Sequence, residues 1–300
     1  MSPGLFSIVA AAAAVASSAN PATSPTGRRA VPLGDLPAVA VSGPARRIEL
    51  GNNGPVDGLA WLAGGRLAVV TAQDAVLHVL EPSGLRSARW ELRARALAVV
   101  GSGPTAIVLV APADRAGTAR LVLLDATPSA HPRTVRLPGI RAGMRPHEGD
   151  ARSPWTPGMV VARDGRVIVV GSRRIAWVTP RTGAVRIRRP AGLSPARVRV
   201  ALALRGGREI AIAGPDLLYL DVASGRLRRV AAKVDAVDRW RGGVLSSGFS
   251  TATAWDAAGR QVFHRRLRTT EFVAPTADGR RLVLARLTSN GVEVRRTLNP

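Results

Sequence analysis

The chain has 300 residues and no cysteine. That excludes disulfides, thiolate metal sites, a cysteine nucleophile and lipid attachment through an N-terminal cysteine. Aromatic residues make up only 4% of a sequence that is 46% hydrophobic, so Ala, Val and Leu must build the core. A chain of this length can bury a large aliphatic core without covalent staples. Acids are scarce: 20 Asp and Glu stand against 43 Lys and Arg, for a formal charge of +23. Lys233 is the one lysine. The arginines are scattered and form no block or stripe, so the charge reads first as a solvated surface, and specific nucleic-acid recognition is not expected. Such a surface still holds polyanions at low salt.

The signatures of common chemistries are missing too. There is no Gly-x-Ser-x-Gly elbow between a strand and a helix, no Walker A loop and no Rossmann glycine pattern. His78, inside AVLHVLE, reads as a strand histidine and not a general base. His264, between Phe263 and Arg265, reads as an outer-strand residue. No stretch shows a capped apolar 3.6-residue period, which argues against helices. After residue 20 no apolar run is long enough for a membrane-spanning helix.

The first residues differ from the rest. Leu5 to Ala16 is a short apolar run, and Ser17 with Ala19 fit a small-x-small cleavage pattern. We expect a secretory signal peptide over residues 1–19, although no Lys or Arg precedes the apolar run. The competing reading is an Ala-rich leader or an uncleaved anchor. Residues 20–44 are rich in Pro, Ser, Thr and Gly and read as a disordered linker. The folded body is expected over 45–300. The expected location is secreted, periplasmic or on the exterior of the cell envelope.

The body repeats itself. Residues 163–187, RDGRVIVVGSRRIAWVTPRTGAVRI, hold a turn signal, an apolar run, a basic corner, a second apolar run and a second turn. The same phrase recurs loosely from 64, 103, 206, 242 and 278. Each copy follows another short apolar run, from 56, 95, 158, 199, 234 and 271. Every unit therefore offers up to four strands of five to seven residues, rich in aliphatic and β-branched side chains. Four strands at a period of about 35 to 45 residues predict an all-β chain, a β-propeller of about six four-stranded blades. A pair of β-sandwiches is the main alternative, and a seventh blade would need a degenerate unit near 138–157. The sixth unit ends after its third strand. RRIEL, 46–50, looks like the missing fourth, so an N-terminal strand would complete the last blade and close the ring, leaving no open sheet edge.

The turn between third and fourth strands reads EPSG at 81–84, TPRTG at 179–183, DVASG at 221–225 and DAAG at 256–259. It is similar to the Asp-x-x-Ser/Thr-Gly turn of the WD40-like, YVTN-like and quinoprotein-like propeller superfamily. Asp, Ser or Thr accepts a backbone N–H there, and Gly supplies positive φ. The resemblance covers about 45–300 and implies a fold, not a chemistry. Trp255-Asp256 is the only Trp-Asp pair.

In that fold the starts of the inner strands lie near one another around a central channel. Asp57, Trp155, Arg197, Asp235 and Glu271 occupy such positions and are the candidate binding residues. The Gly171–Arg173 corner should face the same side. Asp57, Asp235 and Glu271 could together hold a hard cation such as Ca²⁺. Residues 141–158 form the longest stretch without a strand signal and read as a loop, in which His147, Glu148 and Asp150 are further candidates. Trp61, Trp90, Trp177, Trp240 and Trp255 fall in expected strands and should pack between blades. Trp155 lies in the loop, and is the best single contact candidate.

The expectation is an exported propeller used for binding or as a scaffold and not for catalysis: a monomer recognising a protein or an anionic cell-surface polymer on its loop face, with no obligatory cofactor or metal. The alternative is a divalent-cation-dependent hydrolase or lyase, similar to propeller lactonases, with its site at the central channel. Catalytic residues are not assigned.

Overall fold

The computed structural model describes residues 58–71, 75–112, 116–125, 131–145, 153–232, 234, 237–240, 243–247, 250–268, 271–275, 282–288 and 291–298. The leader, the linker and RRIEL at 46–50 lie outside them. So do Asp57, Asp235, His147, Glu148 and Asp150. The chain divides into two compact units, one holding Ile48–Asp235 and the other Met1–Arg47 with Ala236–Pro300.

The described part of the first unit contains four antiparallel sheets, each a simple meander in chain order. The first has strands Gly58–Trp61, Leu67–Thr71, Val76–Leu80 and Arg86–Glu91. The second has Arg95–Ser102, Thr105–Ala111, Gly117–Asp125, Arg133–Arg145 and a fifth strand, Ser153–Trp155. The third has Gly158–Val161, Val167–Val170, Ile175–Thr179 and Ala184–Arg188. The fourth has Val200–Leu204, Glu209–Ala213, Asp216–Asp221 and Leu227–Ala232.

Burial follows strand position. The second and third strands of the third sheet, VIVV and IAWVT, are buried on both faces apart from Thr179, while the fourth, AVRIR, alternates exposed and half-buried. Unbroken apolar runs are what a strand needs when a sheet is covered on both sides, and alternation suits an outer strand. Side chains at successive positions serve different cores. Ala106, Val108 and Val110 pack against the first sheet, whereas Ile107, Leu109 and Ala111 join Val167 and Val169 of the third. Ile168 and Val170 point the other way, to Ile210 and Ile212 of the fourth. Each of the Val, Leu and Ile side chains among these contributes roughly 1.5–3 kcal/mol by burial.

The turns hold as expected. Gly84, Gly183, Gly225 and Gly259 have φ of 83°, 74°, 73° and 78°, the left-handed region that favours glycine. In the fourth sheet Asp221 Oδ1 accepts both Ser224 N–H and Ser224 Oγ–H at 2.7 Å, closing DVASG.

One expectation fails. Residues 141–158 are not a strand-free loop. The strand Arg133–Arg145 runs on into this stretch, and its end pairs with Ser153–Trp155, with Gly143 opposite Trp155. Trp155 is thus a strand residue. The sequence hides this because Leu137-Pro138-Gly139-Ile140 interrupts the strand: Thr118 pairs with Arg141, but Arg120 pairs with Arg136. The interruption is a larger irregularity, residues 137–140 opposite Ala119, that turns Leu137 and Ile140 into the core, where both are fully buried.

The second unit, described by itself, has a four-stranded sheet, Asp238–Trp240, Gly243–Ser247, Thr251–Trp255 and Gln261–Arg266, and a three-stranded one, Glu271–Pro275, Leu282–Thr288 and Gly291–Leu298. Trp240, Leu245, Ala252 and Ala254 pack with Val273, Leu282 and Leu284. The last sheet has three described strands, as the sequence expects of the sixth unit.

Candidate functional site

In the first unit, each sheet has a leading end, where its first strand begins, and a turn end opposite. The leading ends of the third and fourth sheets are stitched together just before those strands start. Thr156 N–H donates to the Arg197 carbonyl at 2.8 Å, and Arg199 N–H donates to the Thr156 carbonyl at 2.8 Å. This parallel bridge, Thr156 to Val198, brings the two approach segments side by side.

The bridge sets Trp155 beside Arg197, whose guanidinium carbon lies 5.8 Å from the indole centroid. Arg141, carried by the bulged strand, lies 6.0 Å from the same ring. Trp155 is half-buried, while Arg141, Arg197 and the apolar Val198 are exposed. Two cations over one indole are held by its quadrupole at about 0.5–1 kcal/mol each when solvent-exposed. The group presents cationic edges on a rigid aromatic base.

Arg199, whose backbone N–H joins the bridge to Thr156, is only 3% exposed. Its Nη2 donates to the Ser172 carbonyl at 3.2 Å and to the Ser194 carbonyl. Its Nε and Nη1 have no hydrogen-bond partner among the described residues. Burial pulls the guanidinium down to about 10, against the opposing pull of nearby Asp216. The Arg199 stem crosses Gly214, where a Cβ would come within 2.7 Å of the Val198 carbonyl and 3.1 Å of Arg199 Cδ. Only glycine fits there. Asp216 is already engaged: Oδ1 accepts from Arg229 Nη2 at 2.8 Å and Oδ2 from Ser194 Oγ at 3.1 Å.

Of the five residues expected at inner-strand starts, Trp155 and Arg197 are brought together. Glu271 opens the first strand of its sheet in the other unit, where its Oε2 accepts the Arg268 N–H at 3.0 Å. Asp57 and Asp235 lie outside the described residues, so the proposed carboxylate trio has no geometry here. Among the described residues no three His, Asp or Glu side chains gather as a metal site. The Gly171–Arg173 corner does reach the site, through the Ser172 carbonyl. Sequence reasoning missed Arg141, hidden by the bulge, and Arg199, which reads as the polar start of the apolar strand RVALAL. His78 is fully buried in its strand, and His264 Nδ1 shares a 2.9 Å hydrogen bond with Thr253 Oγ1, so neither is poised as a base.

No family model and no curated protein matches the sequence. Solved structures do match by shape. Virginiamycin B lyase from Staphylococcus aureus aligns with a TM-score of 0.56 at 12% identity, over 81% of this chain and 84% of that one. The Dos1 propeller aligns with a TM-score of 0.55 at 11% identity, over 84% and 73%. BamB from Moraxella catarrhalis aligns with a TM-score of 0.50 at 18% identity, over 82% and 77%. Identities this low speak for the fold alone, and they agree with the repeated antiparallel meanders: the chain has a β-propeller fold.

Proposed function

We propose that this is a non-enzymatic, exported binding protein that recognises an anionic partner, an acidic protein surface or an anionic cell-surface polymer. Recognition occurs at the leading ends of the third and fourth blades. The observation that carries this reading is the Arg141–Trp155–Arg197 group, two guanidiniums on one indole. Charge-assisted hydrogen bonds from such guanidiniums suit carboxylate, sulfate or phosphate oxygens. Asp216 does not compete, because Arg229 and Ser194 hold it. No helix among the described residues is long and apolar enough to cross a membrane. Export rests on the leader read from residues 1–19.

Propellers with this shape include lyases as well as proteins such as BamB. The binding reading is supported by the cations that the described residues bring together around Trp155. Salt-resolved retention on immobilised heparin tests the reading. Retention should persist at about 0.15 M salt, where charges more than about 8 Å apart are screened from one another, and Arg141→Ala/Arg197→Ala should elute earlier. Elution of the unmodified chain at low salt would mean that its charge is only composition. Heat on calorimetric titration with Ca²⁺ would revive the metal-dependent alternative.

A further inference from the structure

A second cationic feature lies elsewhere on the first unit. The fourth strand of the third sheet ends at Arg188, and the chain turns through Arg189, Pro190 and Ala191. Opposite stands the Asp221–Gly225 turn of the fourth sheet, followed by Arg226 and Leu227. Together these segments line an open cleft of about 480 Å³. Its lining contains three arginines, two half-buried apolar side chains, Pro190 and Leu227, and no acid.

Both walls are fixed. Gly225 N–H donates to the Asp221 carbonyl at 2.9 Å, Asp221 N–H to the Arg226 carbonyl at 3.0 Å, and Arg226 N–H to Ser224 Oγ at 3.2 Å. The other wall is tied by Leu193, which is buried in the same core as Trp177 and Val222, with Leu227 packed against it. Arg188 reaches across the gap: its Nη1 lies 3.2 Å from where a Cβ on residue 225 would sit. Elsewhere exposed arginines meet acids, as Arg166 meets Asp164 at 2.6 Å and Arg260 meets Asp256 at 2.8 Å. Arg188, Arg189 and Arg226 have no acidic partner among the described residues.

We propose that this cleft is a second anion-binding site, separate from the Trp155 group, and that it takes a sulfate or phosphate ester carried on a saccharide. Three guanidiniums from two chain segments can meet a tetrahedral oxyanion from several directions, which a planar carboxylate uses less well. Pro190 and Leu227 offer an apolar surface for the C–H face of a sugar ring, and the volume falls in the range of small-ligand sites.

The test is calorimetric titration of the full chain with a heparin-derived tetrasaccharide, a phosphodiester-linked sugar oligomer of similar length, inorganic sulfate and inorganic phosphate. At least one oligomer should bind more tightly than its inorganic ion, and the tighter oligomer identifies the ester. Arg188→Gln/Arg226→Gln should weaken that binding by about tenfold more than the charge-matched control Arg136→Gln/Arg163→Gln, because it removes charge-assisted contacts and not only net charge. Trp155→Ala should leave it within about twofold if the two sites are independent. Equal losses in the two double variants, or binding of neither oligomer, would overturn the proposal. Loss of tetrasaccharide binding in Trp155→Ala with none in Arg188→Gln/Arg226→Gln would also overturn it, while leaving the Trp155 site standing.

Discussion

The two ends of the third and fourth blades use charge in opposite ways. At the turn end, acids close turns. Asp164 accepts Arg166 N–H at 3.1 Å and Arg166 Nε at 2.8 Å, and Glu209 lies 3.4 Å from Arg205. Asp221 is bound to Ser224. At the leading end the one described acid of these two blades, Asp216, is already held by Arg229 and Ser194. Exposed Arg173, Arg174 and Arg197 share that end, with Arg141 arriving from the second blade. The lesson is that an acid-poor chain spends most of its described carboxylates in these two blades locally on turns, while the leading end gathers several exposed arginines.

The sharpest way to break this contrast is to remove the buried cation at the leading end. Arg199→Met keeps most of the stem but strips donors from the Ser172 and Ser194 carbonyls and a compensating charge from Asp216. We expect a loss of about 3 kcal/mol, between an unsatisfied hydrogen bond and a broken buried pair. Urea unfolding measures it. A loss below about 1 kcal/mol would mean that Arg199 does not hold the corners together.

The Trp155 group should respond in binding more than in stability. Trp155→Ala removes the base on which Arg141 and Arg197 rest, each within 6.0 Å of the ring centroid. Two exposed cation–π contacts at about 0.5–1 kcal/mol each translate to roughly five- to thirtyfold weaker retention on an anionic polymer. Trp155→Phe should recover part of the loss. An unchanged heparin elution in Trp155→Ala would detach the indole from recognition and leave the cations as ordinary surface.

Much of this architecture was legible. The apolar runs from 56, 95, 158, 199, 234 and 271 all contain or begin strands, and the glycine turns fall between third and fourth strands. Period-two burial and turn chemistry are local, so one sequence suffices to read them. What escaped was non-local. Pro138 and Gly139 look like a loop because both break a regular ladder, yet Leu137 and Ile140 around them fill the core between the second and third blades. Arg199 looks like a solvated strand start because nothing near it in sequence reveals that Ser172, 27 residues away, closes over it. Trp155 and Arg197 were each placed at inner-strand starts, but their meeting depends on the Thr156–Val198 bridge, which no spacing encodes.

The smallest effect belongs to the turn end, and it carries a definite sign. Arg166 beside Asp164, and Ser224 beside Asp221, hold both carboxyls below the ordinary value of 3.8. A carboxyl that is more acidic in the folded chain stabilises it fully above the unfolded value and loses that contribution as pH falls through the folded value. Both groups are largely solvated, so screening leaves roughly 0.5 kcal/mol or less for each. Asp164→Asn/Asp221→Asn should therefore lower Tm slightly at neutral pH, and its Tm should fall less steeply than the unmodified chain's below pH 3.8, where the native carboxylates protonate. Parallel slopes in acid would show that these carboxylates contribute nothing as charges. Asn still accepts a backbone N–H in a turn, so the contrast between the ends would then rest on the leading-end cations alone.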